Sequence, residues 1–549
     1  MSKMNYLDDE HGLLWISHKS LFSALLKERL RTKYRERKTH EKLDWDKFIE
    51  LRIQKSRHEA LPDTLDERDL WKLEELRRKS PVVPLKELFS KLDDDEDAPK
   101  KVLISGRPGV GKTTLLEYMA TTWATESLWP EIDYLFLVKL RKLLETAEWS
   151  LSDLLIGNLH LSDHEKSVAI EELCQHSERI LCCLDGLDEM KQFQFSECTF
   201  PVESEVSLSD MISSIISCSL LPHAKVLLTT RPSDQTPPSK QFDRVVDIYG
   251  FTSNGIEQYV DTFCDQKKEL KQYIWTTITS NPNIATLCHT PILCGFVCDT
   301  LKYNHEHPES SSDQDTKTMT QLFVNATYQL AKQLCPPLKY PKGNQSSKKV
   351  LGDLQEPFRK HGALAKDGMT MPLKLIFDDA DLTKHGFTDE DKQTGFLSGS
   401  EKTDPHDREA TTNTWSFTHL TLQEFFGAYG LLQPDSDILN LLSNKASVKQ
   451  NEMVITFLLG LLGDKRNAHF LEYLGVGNAS VTTEQLIEQL ATKLEKDPKK
   501  LATFVFETQC EELVKYIPEV ISVHQVYPVE MLSLAWILQQ VTCRITYLG

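Results

Sequence analysis

The sequence predicts an α/β domain with a parallel sheet flanked by helices, and two observations carry this prediction. Between residues 100 and 250, helical stretches alternate with short apolar runs, which are VLIS (102–105), YLFLVKL (134–140), ILCCLD (180–185) and KVLLTT (225–230). Such alternation is typical of a parallel sheet that helices cover on both faces. The second observation is a glycine-rich loop, GRPGVGKT at 106–113, which lies directly after the first run and before a helix.

This loop matches the pattern GxxxxGK[ST] in the strand-to-helix context that the pattern requires. Its glycines let the backbone amides point at phosphate oxygens, and the helix that follows adds its positive dipole end. Lys112 would reach the β and γ phosphates, and the Thr113 hydroxyl would be a ligand of Mg²⁺. The sequence therefore predicts a P-loop NTPase domain that binds ATP or ADP with Mg²⁺, and a structural glycine turn is the alternative. The predicted nucleotide-binding residues of the loop are Gly106, Arg107, Pro108, Gly109, Val110, Gly111, Lys112, Thr113 and Thr114.

A second motif, ILCCLDGLDE at 180–189, is a buried strand that ends in acidic residues. Open α/β sheets bind their ligands at the carboxyl edge, where these acids would lie. Asp185 is predicted to hold Mg²⁺ together with Thr113. Asp188 or Glu189 is predicted to polarise an attacking water molecule. The alternative is an acidic surface turn.

A third motif, TTRP at 229–232, ends the next predicted strand. Arg231 could sense the γ-phosphate and neutralise charge in the transition state. The alternative is an arginine that forms an ion pair with an acid at the end of a strand.

Length and composition limit the remaining possibilities. At about 150 residues per domain, 549 residues predict three or four domains. The net charge of -18 argues against nucleic-acid binding through the general field of the protein. The 12 cysteines lack metal-ligand CxxC pairs and several lie in apolar runs, so we expect buried free thiols and a reducing, cytoplasmic location. The most apolar short run, 454–463, is shorter than the about 20 residues that span a bilayer, so no membrane span is expected.

Outside the predicted sheet, residues 1–99 are predicted to be a helical and linker region. Residues 18–38 form either a basic docking helix or, as we favour, a solvated helix face. After Gly250 the chain is predicted to be mainly helical, with flexible polar segments at 340–349 and 398–413.

The three nucleotide motifs together resemble those of the NACHT-domain STAND NTPases, which include the NOD-like receptors of innate immunity. The likeness covers about residues 45–549. It includes ATLCHTPILCGFVC at 285–298, whose Pro291 matches a proline that packs near adenine in the family. WSFTHLTLQEFF at 415–426 is similar to the winged-helix signature. The resemblance implies a NACHT domain at 100–250, a first helical domain at 251–335, a winged-helix domain at 336–435 and a second helical domain at 436–549.

His419 is the residue of this signature with an implied role. Thr421 and Glu424 have the spacing of a capping box, which predicts that a helix begins there. The residues alone favour a core histidine, whereas the resemblance implies that His419 contacts the β-phosphate of ADP and holds a closed state.

The resemblance implies a molecular switch that is closed with ADP and opened by ATP. The open form would self-associate and signal in innate immunity or cell death, with an adaptor or ligand protein as a further partner. Slow Mg²⁺-dependent ATP hydrolysis would reset it. The alternatives are a P-loop ATPase motor that remodels a substrate, and a nucleotide-binding scaffold without turnover.

The sequence departs from the family pattern at both ends. Only about 40 residues precede the likeness, and residues 531–549 resemble the approach to a first leucine-rich repeat. We therefore expect the signalling and repeat regions to be reduced or absent in this sequence, or the sequence to be a fragment of a longer receptor.

Overall fold

The structure is a computed structural model. It describes residues 22–32, 48–55, 82–92, 97–106, 109–125, 128–157, 159, 161–190, 193–231, 241–306, 318–334, 351–369, 374–392, 394, 396–403, 411–418, 420–433, 438–477, 481–523, 528–540 and 544–547. In this part of the chain, no helix is long and apolar enough to cross a membrane.

A six-stranded sheet forms the centre of the first half of the chain, in the order β1-β8-β2-β7-β5-β3. Neighbouring strands are parallel except β1, which runs antiparallel to β8. The strands are β1 Ile53–Lys55, β2 Lys101–Gly106, β3 Tyr134–Lys139, β5 Ile180–Asp185, β7 Lys225–Thr230 and β8 Arg244–Ile248, while β4 Glu148–Trp149 and β6 Val206–Ser207 pair separately. The α/β prediction is confirmed, and β1 and β8 are additional strands that the sequence did not predict.

Helices lie between these strands as parallel crossovers require. They are Lys112–Ala124, Leu151–Leu155, Asp163–Gln175 and Leu208–Ile216. Every residue of β5 is buried, because apolar side chains on both faces of this strand pack under neighbouring elements. This burial leaves only the carboxyl end of the strand available for chemistry. The thiols of Cys182 and Cys183 are free and buried in the strand, as expected.

The edge strand β1 also contacts the glycine-rich loop. Leu51, two residues before β1, lies so close to Gly111 that a Cβ atom on Gly111 would be 2.9 Å from the Leu51 Cδ1 atom. Phe48 stacks on Tyr118 of the helix that follows the loop, with ring centroids 3.9 Å apart. The described segment before β1 therefore covers one side of the loop.

The helix over residues 22–32 packs on this sheet domain. Phe22 and Leu26 are buried, and the Phe22 ring lies 5.5 Å from the ring of Tyr134. The Ser23 hydroxyl donates a hydrogen bond to the carbonyl oxygen of Asp133 over 2.7 Å. An apolar stripe of this helix therefore finds an apolar partner, while other residues of the helix are exposed, so the choice between a docking helix and a solvated face stays a prediction.

From residue 251 onward the described chain is mainly helical, as predicted. The helices are Ser253–Cys264, Lys268–Ser280, Pro282–Cys288, Pro291–Glu306, Met319–Leu334, Gln355–Gly368, Asp379–Lys384, Asp389–Lys392, Leu420–Leu431, Lys445–Gln450, Glu452–Gly463, Ala468–Tyr473, Thr483–Lys493, Pro498–Thr508 and Pro528–Gln540. Strands β12 (Val520–Val523) and β13 (Arg544–Tyr547) form a short parallel pair. The domain boundaries implied by the resemblance stay predictions.

A small antiparallel sheet of order β10-β11-β9 interrupts these helices. Its strands are β9 Phe377–Asp378, β10 Leu397–Thr403 and β11 Thr411–Phe417. The prediction that residues 398–413 are flexible is therefore wrong for the described part of this segment, because threonine-rich strands pair there and Trp415 packs against its register partner Gly399. Residues 340–349 lie outside the described residues.

The helix Leu420–Leu431 corrects a second expectation. It begins at Leu420, so Thr421 is its second residue and is buried. The predicted capping box is therefore wrong, because a capping side chain must precede the first helical residue.

A buried polar network joins the helix Met319–Leu334 to the helices near the C-terminus. The Glu507 carboxylate accepts hydrogen bonds from the Met319 and Thr320 amides over 3.1 and 3.3 Å, and from the Thr320 hydroxyl over 2.9 Å. Glu507 is buried, and its negative charge lies at the positive end of the helix dipole. The Gln321 side chain adds a hydrogen bond to Asp464.

Candidate functional site

The glycine-rich loop joins β2 to the helix Lys112–Ala124, and Gly111 is its N-cap residue. Gly111 has a φ of 97°, a left-handed conformation that is costly for residues with a Cβ atom. The Lys112 ammonium donates to the carbonyl oxygen of Gly106, so the side chain folds back over the loop. Burial lowers the pKa of Lys112 to about 8, against the opposing effect of Asp188. A cation held in this way can bind an anionic phosphate.

The other predicted loop residues fall into two groups. Gly109, Val110, Thr113 and Thr114 are described, and Val110 is buried against the sheet. Arg107 and Pro108 lie outside the described residues.

Asp185 lies at the carboxyl end of β5 and faces the loop. Its two carboxylate oxygens accept hydrogen bonds of 2.8 Å from two different threonines, Oδ2 from the Thr113 hydroxyl and Oδ1 from the Thr229 hydroxyl. The carboxylate is almost completely buried. The structure therefore brings together the two residues, Thr113 and Asp185, that the sequence predicted as magnesium ligands.

Asp188 and Arg231 form a two-point contact. The Arg231 backbone amide donates to Asp188 Oδ1 over 3.0 Å, and its Nε atom lies 2.7 Å from Asp188 Oδ2. This is the ion pair that the sequence left open as the alternative for Arg231. The side chains of Arg231 and Asp188 are 25% and 11% exposed, so the pair lies at the rim of the site.

Glu189 follows Asp188 in the same turn and carries a perturbed pKa. Burial raises the pKa of Glu189 to about 7, and the nearby guanidinium of Arg141 opposes the rise. A carboxyl group with a pKa near neutrality can accept a proton from water at physiological pH, which suits a general base. Glu189 is one of the two acids proposed for that role, and its pKa suits it.

Arg141, Glu189 and Arg231 line one side of a cleft, which we call the sheet-edge cleft. The opposite side comes from the small sheet and the helix Leu420–Leu431, through Leu375, Ile376, Ser398, Thr414, Trp415, Ser416, Phe417, Leu420 and Gln423. Strand β10 also lies against residues 140–142. A second part of the chain therefore closes over the candidate catalytic edge.

Pro291 begins the helix Pro291–Glu306 and lies beside the end of β8. The Phe251 amide donates to the carbonyl oxygen of His289 over 2.7 Å, and His289 Nδ1 donates to the carbonyl oxygen of Phe251 over the same distance. Because Ile248 pairs with Gly106, this double hydrogen bond holds the Pro291 segment near the glycine-rich loop. His419 lies outside the described residues.

Sequence reasoning missed three residues of the site. They are Thr229, which contacts Asp185, Arg141, which faces Glu189, and Leu51, which covers Gly111. Only Thr229 had a sequence signal, since it belongs to the TTRP motif. Arg141 follows β3 directly, and the parallel sheet brings the ends of β3 and β5 together.

The residues present fit a magnesium-bound nucleotide. Mg²⁺ prefers oxygen ligands, and the Thr113 hydroxyl and Asp185 carboxylate supply them from facing elements. The left-handed Gly111, the start of a helix and the Lys112 ammonium together form a phosphate-binding arrangement.

Part of the chain matches a known family model. Residues 100–267 match the family model of the NACHT domain. The chain therefore contains a NACHT domain. The match confirms the resemblance drawn from the three nucleotide motifs, and it extends beyond the predicted boundary at residue 250.

Curated proteins and solved structures also show similarity to this chain. Human NACHT, LRR and PYD domains-containing protein 3 is 27% identical over 482 residues, covering 80% of this chain and 44% of that protein. The human protein 12 of this name is 27% identical over 460 residues, covering 79% and 41%. The chain thus spans less than half the length of these relatives. A solved structure of Cdc6p from Pyrobaculum aerophilum aligns with 12% identity and a TM-score of 0.25, covering 75% of this chain and 98% of that one.

Proposed function

We propose that this NACHT chain is a nucleotide-operated switch of the NOD-like receptor type. It holds ADP with Mg²⁺ in a closed form, and exchange for ATP opens it so that copies self-associate and signal. The proposed setting is cytoplasmic innate immunity or cell-death signalling. Hydrolysis of ATP is slow and serves to reset the closed form.

The sheet-edge cleft is the observation that carries this proposal. One wall bears Glu189 and Arg231 of the NACHT domain, and the other bears Trp415 and Gln423, which come from the region proposed to be the winged-helix domain. A site built for rapid turnover has to admit and release substrate. A site whose catalytic edge is covered by another region can instead link nucleotide identity to the position of that region.

The residues of the chain have distinct roles in this proposal. Lys112 and the loop amides bind the β-phosphate, and the Pro291 segment packs near the base. Bound Mg²⁺ neutralises phosphate charge when Thr113 and Asp185 hold it. Glu189 takes a proton from the attacking water. Arg231 leaves Asp188 to contact the γ-phosphate, and this change of partner separates the ATP state from the ADP state.

Closure by ADP would also use His419, as the family resemblance implies. The energetic requirement is differential affinity: ADP must bind the closed form more tightly than the open form, and ATP must favour the open form, because a ligand with equal affinity for both forms shifts nothing.

Light scattering of the purified chain tests the proposal. We expect a monomer with ADP and an increase in mass with a non-hydrolysable ATP analogue. Lys112→Ala should bind neither nucleotide and stay monomeric. Lys268→Ala, which removes an exposed lysine on a distant helix, is the matched control and should assemble like the wild type.

Three results would contradict the switch. Assembly of Lys112→Ala to the wild-type extent would show that nucleotide binding is not required. Nucleotide binding without any change of mass would favour the scaffold. Rapid turnover that a partner stimulates would favour the remodelling motor.

A further inference from the structure

We infer that Thr229 is a positioning residue that fixes the Asp185 carboxylate for magnesium. The inference rests on the proposed binding of a magnesium nucleotide at this site. Within the TTRP motif at 229–232, Thr229 then has a role as well as Arg231.

The hydrogen bonds around Thr229 determine the direction of its hydroxyl group. The Gly186 amide can only donate, and it donates to the Thr229 oxygen over 2.9 Å. The single hydroxyl proton of Thr229 therefore points to Asp185 Oδ1, 2.8 Å away. Thr229 is fully buried, so water does not compete for either bond.

The same contacts hold the turn that follows β5. Gly186 has a φ of 85°, a left-handed conformation, and its amide is anchored to β7 through Thr229. Beyond this turn lies Glu189, whose amide donates to the carbonyl oxygen of Gly186 over 3.0 Å. One hydroxyl group thus orients the predicted metal ligand and the start of the turn that carries the predicted general base.

The two threonines on Asp185 would have different roles when magnesium binds. Thr113 is itself a predicted ligand, and a lone pair of its hydroxyl oxygen would hold the metal while its proton stays on Asp185 Oδ2. Thr229 has no such second task and keeps Oδ1 occupied. Asp185 consequently presents Oδ2 alone to the metal shell, in an orientation that is set before the nucleotide arrives. Residues that orient metal ligands in this way raise metal affinity, and their loss typically costs 10–100-fold.

The neighbouring threonine provides a matched control. Thr230 is buried like Thr229 and lies next to it on β7, but its hydroxyl donates to the carbonyl oxygen of Arg231 over 3.1 Å. Thr230→Val therefore makes the same chemical change on the same strand as Thr229→Val, but it leaves the hydrogen bonds of Asp185 intact.

The test measures the affinity of the full chain for mant-ADP by fluorescence, with Mg²⁺ and with EDTA. The ratio of the two dissociation constants reports the contribution of the metal. In Thr229→Val we expect this ratio to shrink about tenfold or more, while the affinity in EDTA stays near wild type. Thr230→Val and Thr229→Ser, which keeps the hydroxyl, should both retain the wild-type ratio.

A wild-type ratio in Thr229→Val would overturn the inference, and so would an equal loss in Thr230→Val. If Thr229→Val does not fold, Thr229→Cys, which has a similar size but a weak donor, takes its place under the same criterion. Failure of the wild type to bind mant-ADP at all is a separate outcome, which would overturn the proposed function.

Discussion

Lys112 should take up a proton when the loop binds a nucleotide. Burial lowers the pKa of Lys112 to about 8, so at pH 8 about half of the free protein carries a neutral lysine. Phosphate oxygens beside the ammonium favour its charged form and raise the pKa again. Binding of ADP should therefore take up about half a proton at pH 8, about nine-tenths of a proton at pH 9 and almost none through this group at pH 6.

Titration calorimetry of ADP without Mg²⁺, in buffers of different ionisation enthalpy, measures this uptake. The Lys112→Arg variant should lose it, because a guanidinium stays charged throughout this range. The Glu189→Gln variant should keep most of it at pH 9, since the pKa of Glu189 is about 7 and the free carboxyl is already ionised there. Uptake that does not rise between pH 8 and 9, or that persists in Lys112→Arg, would refute the reasoning.

Two further predictions concern stability. His361 is fully buried, its Nδ1 donates to the carbonyl oxygen of Pro357 over 2.6 Å, and burial lowers its pKa to about 4. The unfolded chain binds a proton on His361 at a higher pH than the folded chain does, so the free energy of unfolding should fall by about 3 kcal/mol as the pH drops from about 6.5 to about 4. Urea unfolding of His361→Gln should lack this fall. The same pH dependence in His361→Gln and in the wild type would contradict the prediction. Glu507→Ala should lower the free energy of unfolding by about 3 kcal/mol, because the Met319 and Thr320 amides lose a buried carboxylate acceptor. In thermal melts, Glu507→Gln, which keeps one acceptor, should melt between Glu507→Ala and the wild type, and equal melting temperatures for all three proteins would contradict the prediction.

The sequence was most informative where local patterns carry the chemistry. The four apolar runs became β2, β3, β5 and β7, and the glycine-rich loop follows β2 as its spacing required. Strands β1 and β8 escaped prediction because three residues and a five-residue run give little periodicity. Their pairing depends on contacts between distant segments.

Within the site, the sequence identified the candidate side chains but did not determine which neighbour each side chain contacts. Arg231 had two interpretations, and the distance to Asp188 shows which contact it makes in this structure. Thr229 and Thr230 are adjacent and chemically identical. The register of β7 against β5 turns Thr229 toward Asp185, and a shift of one residue would have turned the other threonine there.

For the polar segment at 398–413, the composition led to a wrong prediction. Its composition indicated a flexible loop, yet strands β10 and β11 pair there, and Trp415, just after the segment, lies over Gly399. Such cross-strand pairs stabilise a sheet although neither partner is marked by hydropathy.

The position of β1 affects where a protein fragment that folds and binds nucleotide can begin. The NACHT match begins at residue 100, but β1 completes the edge of its sheet, and Leu51 packs on the loop that binds phosphate. A protein cut at residue 100 would expose the backbone of β8 as an open sheet edge, which favours aggregation. It would also leave Gly111 without its apolar cover. We therefore expect the smallest unit that folds and binds on its own to start upstream of Phe48, about fifty residues before the family-model match.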